Sequence, residues 1–150
     1  MTCCSRTTRA RFSGIAIRLR QVLIVSIKIV EFPNKGRGVL ATSAFVVGQT
    51  IERCPVIVIP ASEAPLIRDT RLAHYYFEWG DDCKQAAIAL GYGSLYNHSY
   101  SPNARYEFRE AEEHLEFIAL CDIQAGEEIT INYNNLGPSA SHPLKFDVKQ

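Results

Sequence analysis

The stretch GYGSLYNHSYSPN, residues 91–103, decides how the rest of the chain is read. Two glycines bracket a tyrosine, an Asn-His-Ser triplet stands against an apolar shoulder, and Pro102-Asn103 closes the run. Gly, Ser, Asn and Pro all favour turns, each through its own backbone chemistry, so one reading is a hydrophilic loop between strands. The other is a segment that binds or reacts, because hydrogen-bonding side chains are packed into it so densely. Its surroundings have to choose between them.

Upstream, Val25, Ile27 and Ile29 alternate with Ser26 and Lys28, a strand period that PNKG at 33–36 breaks. The run from Val39 to Ile59 is rich in β-branched residues around a turn at Gly48-Gln49. Residues 62–79 carry the one helical pattern, with Leu72, Tyr75 or Tyr76, and Trp79 at i, i+3/4, i+7 spacing behind Asp69 as a candidate cap. Downstream, Tyr106-Glu107-Phe108 and Leu115–Ile118 read as a hairpin with REAEEH at its tip, and Glu128–Tyr133 as a last strand after a turn at Gly126. The expected fold class is therefore mainly β with a short helix, built from many short strands.

A chain of 150 residues suits one domain and can bury a core without disulfide staples. Its formal net charge of +0 conceals an asymmetry. Residues 1–30 hold six basic side chains and no acid, whereas the other 120 hold 10 basic and 16 acidic ones. An acidic body repels nucleic acid and attracts Lys- and Arg-rich partners, so nucleic acid is a disfavoured ligand and a basic peptide the favoured one. The five cysteines form no C-x-x-C pair and their odd number argues against a complete disulfide framework, which fits a reducing compartment. Arg18, Arg20 and Lys28 interrupt the best apolar run, so no membrane helix is expected. The expectation is a soluble intracellular protein, of cytoplasm or nucleus. Residues 1–21 read as a basic extension outside the fold, with an organelle transit peptide as the alternative; residues 22–135 form the domain and 136–150 a polar tail.

Two constellations fall away. GRGVLA at 36–41 satisfies G-x-G-x-x-A, but the residues after it are rich in β-branched side chains and no second strand-helix-strand unit succeeds it, so a dinucleotide fingerprint is rejected. His74, His98, His114, His142 and the cysteines never fall at a metal-ligand spacing, so no metal site is expected.

Three strings remain: GRG at 36–38, GYGSLYNHSYSPN at 91–103 and GEEITINY at 126–133. In this order the three resemble the SET-domain protein-lysine methyltransferases, whose pattern is a G-x-G stretch, an N-H-S-x-x-P-N segment and an E-[LI]-T-x-x-Y strand, at the spacing of the compact stand-alone viral and bacterial members. The resemblance covers about Val22 to Tyr133. It implies a fold of several small sheets around a knot-like crossing, and methyl transfer from S-adenosyl-L-methionine to a lysine amine of a protein or peptide substrate with an exposed lysine. It further implies Tyr133 as the catalytic tyrosine, with Tyr106 and Tyr75 walling the lysine channel and Tyr76 as the alternative to Tyr75. The backbone around Lys35, Gly36, Arg37 and Gly38, together with Asn97 and His98, would hold the cofactor. For His98 a structural role remains the alternative, and for Asn97 and Asn103 the closing of turns on their own backbone.

The compact relatives tend to dimerise, which implies a homodimer. Where relatives often have Cys and Asp, this chain has Tyr100 and Asn132, and the cysteine-rich zinc modules that flank the domain in many relatives are not expected here. Phe146 is a candidate lid aromatic in the tail. Glu107, Glu110, Glu112, Glu113 and Glu116 are candidates for substrate choice, against the plainer reading of a solvated hairpin tip. The rival functions are a non-catalytic lysine-peptide-binding module on the same fold and a nucleic-acid binder acting through the Arg-rich start.

Overall fold

The computed structural model describes residues 26–134. The basic extension, the C-terminal tail and Phe146 lie outside the described residues. Three antiparallel hairpins and a long strand organise what is described. β1 (Ile27–Phe32) turns at residues 33–35 into β2 (Gly36–Ala41), with Ile27 opposite Ala41 and Phe32 opposite Gly36. GRGVLA is thus strand throughout, as its β-branched neighbours suggest.

β3 (Thr50–Ile59) is the spine of a second sheet, since it pairs on one side with β5 (Gln85–Ala89) and on the other with β8 (His114–Ala119). β4 (Tyr76–Trp79) and β7 (Ala104–Arg109) extend it outward, giving the order β4-β5-β3-β8-β7, all antiparallel. The first sheet has the order β1-β2-β9-β6, in which β9 (Glu128–Ile131) is antiparallel to β2 and parallel to the two-residue β6 (Asn97–His98). A bridge between Phe45 and Ile123 ties the connecting loops together.

Residues 62–79 depart from the expected helix. Only Ala64–Arg68 form an α-helix (α1); Arg71–His74 make a 3-10 turn and Tyr76–Trp79 a strand. Asp69 ends α1 instead of starting a helix, and Thr70 caps the turn by accepting from the Leu72 N–H. The reason is partnership. A helix would present Leu66 and Leu72 to water together with the aromatics, and both leucines are in fact exposed, whereas Tyr76, Phe77 and Trp79 gain a partner strand in β5. Strand pairing and core contact outweigh a weak helical period.

The core fills the space between the sheets. Phe117 and Tyr96 stack at 4.3 Å with planes 16° apart, and Phe77 meets Tyr106 edge-on at 5.0 Å. Such pairs contribute about 0.5–1.5 kcal/mol beyond area burial. Gly93 is required at the centre of this packing: a Cβ there would stand 2.7 Å from Ala89 Cβ and 2.9 Å from Cys54 Sγ. No helix among the described residues is long and apolar enough to cross a membrane.

Candidate active site

Three segments remote in sequence meet where β6 runs beside β9. In the parallel register Asn97 lies opposite Thr130 and His98 opposite Ile131, and the Ser99 N–H donates to the Ile131 carbonyl at 2.9 Å. Asn103 holds the same strand from another direction. Its Nδ2 donates to the Glu128 carbonyl and its Oδ1 accepts from the Thr130 N–H, both at 2.8 Å. The Asn103 amide therefore reaches across to β9 as a substitute peptide group, in place of the alternative reading, a turn closed on its own backbone.

Tyr133 follows β9 after one residue, Asn132, and is held at both ends. Its backbone N–H donates to His98 Nδ1 at 3.2 Å, and its hydroxyl donates to the Tyr96 carbonyl at 2.8 Å. The Tyr106 hydroxyl donates to the Tyr133 carbonyl at 3.2 Å. Burial first, then the neighbouring Tyr75 phenol and the Glu128 carboxylate, push the Tyr133 hydroxyl up to about 12, with the His98 backbone amide pulling the other way. Burial, and after it Glu78, likewise raises Tyr106. Tyr75, Tyr106 and Tyr133 thus come together. Tyr75 is placed by its own carbonyl, which accepts from Ser94 Oγ at 2.8 Å. Tyr76 instead pairs with Ile88 within the sheet.

His98 is buried and faces inward. Accepting at Nδ1 requires that nitrogen to be unprotonated, so the neutral ring carries its proton on Nε2, which is buried and without a hydrogen-bond partner. Its environment is aromatic: Tyr100 stands perpendicular at 4.4 Å and Tyr133 lies at 5.2 Å. Burial lowers its pKa, in keeping with a neutral ring. The side chain braces the start of the tyrosine segment. In a parallel ladder alternate residues address the same neighbour, so with Ser99 bonded to β9 the His98 carbonyl points away from it.

The glycine segment lies against Asn97. A Cβ on Gly38 would stand 2.4 Å from Asn97 Nδ2 and 2.8 Å from the Phe32 ring, so only glycine lets β2 approach so closely. Asn97 Nδ2 donates to Glu128 Oε1 at 2.8 Å, and Lys35 Nζ reaches Glu128 Oε2 at 2.9 Å. Gly38 faces Asn97 and the Phe32 ring, whereas beside Gly36 stands only Glu31 Oε1, 3.9 Å from where a Cβ would be. The exposed Arg37 alternates to the opposite face, so its side chain is not part of this cluster.

Glu128 and Glu52 join the site without having been assigned a role from the sequence. Glu52 Oε1 accepts from the Tyr92 N–H at 3.0 Å and its Oε2 from the Tyr96 hydroxyl at 3.1 Å, which fixes the segment whose carbonyl receives Tyr133. The only sequence signal for Glu52 is a charge inside an apolar strand, and for Glu128 its place at the head of E-I-T. Among the hairpin acids, Glu116 is buried and accepts from Thr50, Arg53 and Arg109, so it faces no substrate. Glu107 pairs with Arg105 and Arg109. Asn132 is buried, with its Oδ1 accepting from the Asn134 N–H at 3.0 Å.

With this geometry in place, comparison with known proteins is decisive. A family model described as SET domain matches residues 36–134. The chain belongs to the SET-domain family. It is similar to a histone-lysine N-methyltransferase of Schizosaccharomyces pombe, H3 lysine-37 specific, with 28% identity over 110 residues that span 73% of this chain and 74% of that protein. The SET domain also resembles the crystal structure of a Plasmodium falciparum protein described as a candidate histone methyltransferase, with a TM-score of 0.61 and 30% identity over 72% of this chain and 92% of that one. By fold and family this SET domain is of the protein-lysine methyltransferase class.

Proposed function

We propose that the SET domain transfers a methyl group from S-adenosyl-L-methionine to the side-chain amine of a lysine in a basic protein segment. The observation that carries this reading is the state of the Tyr133 phenol. Its proton is committed to the Tyr96 carbonyl, so toward any further group its oxygen can only accept. A group that accepts, is buried and stays neutral at any working pH suits a neutral lysine amine, whose N–H it can hold while the lone pair points elsewhere.

A free lysine titrates near ~10.4, and a channel walled by Tyr75, Tyr106 and Tyr133 disfavours the ammonium form by excluding water. Each unit of depression corresponds to about 1.36 kcal/mol. Because its pKa is raised, Tyr133 acts by hydrogen bonding and not as a general base; the proton leaves the lysine for solvent before the amine is held.

The residues present fit the cofactor. Asn97 Oδ1 accepts no hydrogen bond among the described residues, the His98 carbonyl faces away from β9, and at Gly36 the nearest atom to where a Cβ would stand is Glu31 Oε1 at 3.9 Å, which leaves that backbone open to close approach. S-adenosylmethionine, when bound, supplies an electrophilic methyl on a positively charged sulfur. Asn97, the main chain of His98 and the backbone of residues 35–38 would hold it, with the Lys35 ammonium already engaged by Glu128. A basic substrate is supported by the acidic excess outside residues 1–30 and by the histone named for the S. pombe relative.

The test is mass spectrometry of a Lys-rich peptide incubated with the full chain and S-adenosylmethionine, beside the same peptide with arginine at every lysine. Methylation of the first and none of the second is expected. No methylation of either, or equal methylation of both, overturns the reading.

A further inference from the structure

Glu128 belongs to no assigned role, yet it touches two of the residues that would hold the cofactor. Its two oxygens are divided: Oε1 accepts from Asn97 Nδ2 at 2.8 Å and Oε2 from Lys35 Nζ at 2.9 Å. Its side chain is only 16% exposed. A carboxylate accepts and cannot donate, so the Asn97 amide has one workable orientation, with Nδ2 toward Glu128. The reversed amide would set two acceptors against each other. Gly38 packs against the same Nδ2, so near that an added Cβ would fall at 2.4 Å. Asn97 is therefore clamped by a glycine and a carboxylate, and its Oδ1 is left as an unused acceptor.

We propose that Glu128 is a positioning residue. By locking the Asn97 amide it presents Oδ1 as an acceptor for a cationic group on the ligand, the ammonium of an amino-acid moiety. Lys35 has a matching part. It neutralises the Glu128 carboxylate on the side away from Asn97, so the cluster carries no net charge, and an ammonium is read by a directed oxygen in place of a diffuse negative field. The proposal rests on the methyltransferase reading, because it takes the ligand to be S-adenosylmethionine or its product.

The experiment separates the two. Calorimetry measures binding of S-adenosylhomocysteine, which carries the amino-acid ammonium, and of 5′-methylthioadenosine, which lacks it, to wild type, Glu128→Met and Glu128→Gln. Methionine nearly fills the space of the glutamate without an acceptor, whereas glutamine keeps one oxygen for Asn97 Nδ2 while Lys35 turns to water. Hydrogen bonds to charged groups predict that Glu128→Met loses about tenfold or more in affinity for S-adenosylhomocysteine, with methylthioadenosine unaffected. Glu128→Gln should recover most of the discrimination between the two ligands. Unchanged affinity of Glu128→Met for S-adenosylhomocysteine, or equal losses for both ligands, overturns the positioning role while leaving the methyltransferase reading in place. A wild type that binds neither ligand overturns both. Should Glu128→Met fail to fold, Asn97→Leu removes the amide and leaves the Lys35–Glu128 pair intact; it should show the same selective loss, and an unselective one overturns the proposal.

Discussion

His98 braces the candidate site from beneath the Tyr133 segment. The buried ring spends its Nδ1 lone pair on the Tyr133 backbone, and protonation there would break that bond. Its native pKa is depressed by burial, so the unfolded chain takes up the proton first, near ~6.5. Stability from this group is present above that value and is lost as pH falls through it toward the lower native pKa. The urea midpoint of the wild type should therefore fall more between about pH 7 and pH 5 than that of His98→Gln. Equal falls would show that the ring carries no such linkage. At this scale the sequence displays which residue types gather, since Asn97, His98 and Tyr133 stand in recognisable strings. Their division of labour is not legible there, because the partners of Asn97 and His98 lie 31 and 35 residues away along the chain.

Among the elements, the hairpin of β7 and β8 and the last strand arise from alternation and turn chemistry, which are local. β4 and β5 do not. The Ala-rich QAAIA has no strand signature of its own and exists because β3 lies beside it, with Ile57 opposite Ile88 and Val58 opposite Ala87. The same tertiary partnership converts Tyr76–Trp79 from helical spacing to strand. Glu116 makes the point with a charge: its place in a hairpin arm suggests solvent, yet β8 turns it toward β3. Hydrogen bonds from Thr50, then Arg53 and Arg109, hold its carboxyl down to about 2, with burial opposing them. A depressed carboxylate stabilises the fold above its unfolded value of about 4.3, and that stability disappears as pH falls from there toward about 2. Acid unfolding of the wild type should steepen across this window. Glu116→Gln should be less stable at neutral pH and flatter across the window; a variant with the same acid profile as wild type would contradict the linkage.

At the scale of the whole molecule, the mainly β class and the order of the three motifs could be read from the chain, because the motifs keep their sequence strings. The parallel meeting of β6 with β9 could not, since two residues of strand have no periodicity to detect. That meeting brings Asn97 and Gly38 to one end of the Tyr133 segment while β7 brings Tyr106 to its carbonyl. On the proposed function, the fold serves to assemble one acceptor, the Tyr133 oxygen, in a buried and neutral setting. Single-turnover methyl transfer to a Lys-rich peptide, read by mass spectrometry for wild type and Tyr133→Phe, tests this most directly. The variant loses one hydrogen bond to Tyr96, about 1 kcal/mol of stability, and should remain folded. It should still bind S-adenosylhomocysteine, while its transfer rate drops on the order of a hundredfold. A folded Tyr133→Phe that transfers methyl as fast as wild type would contradict the account.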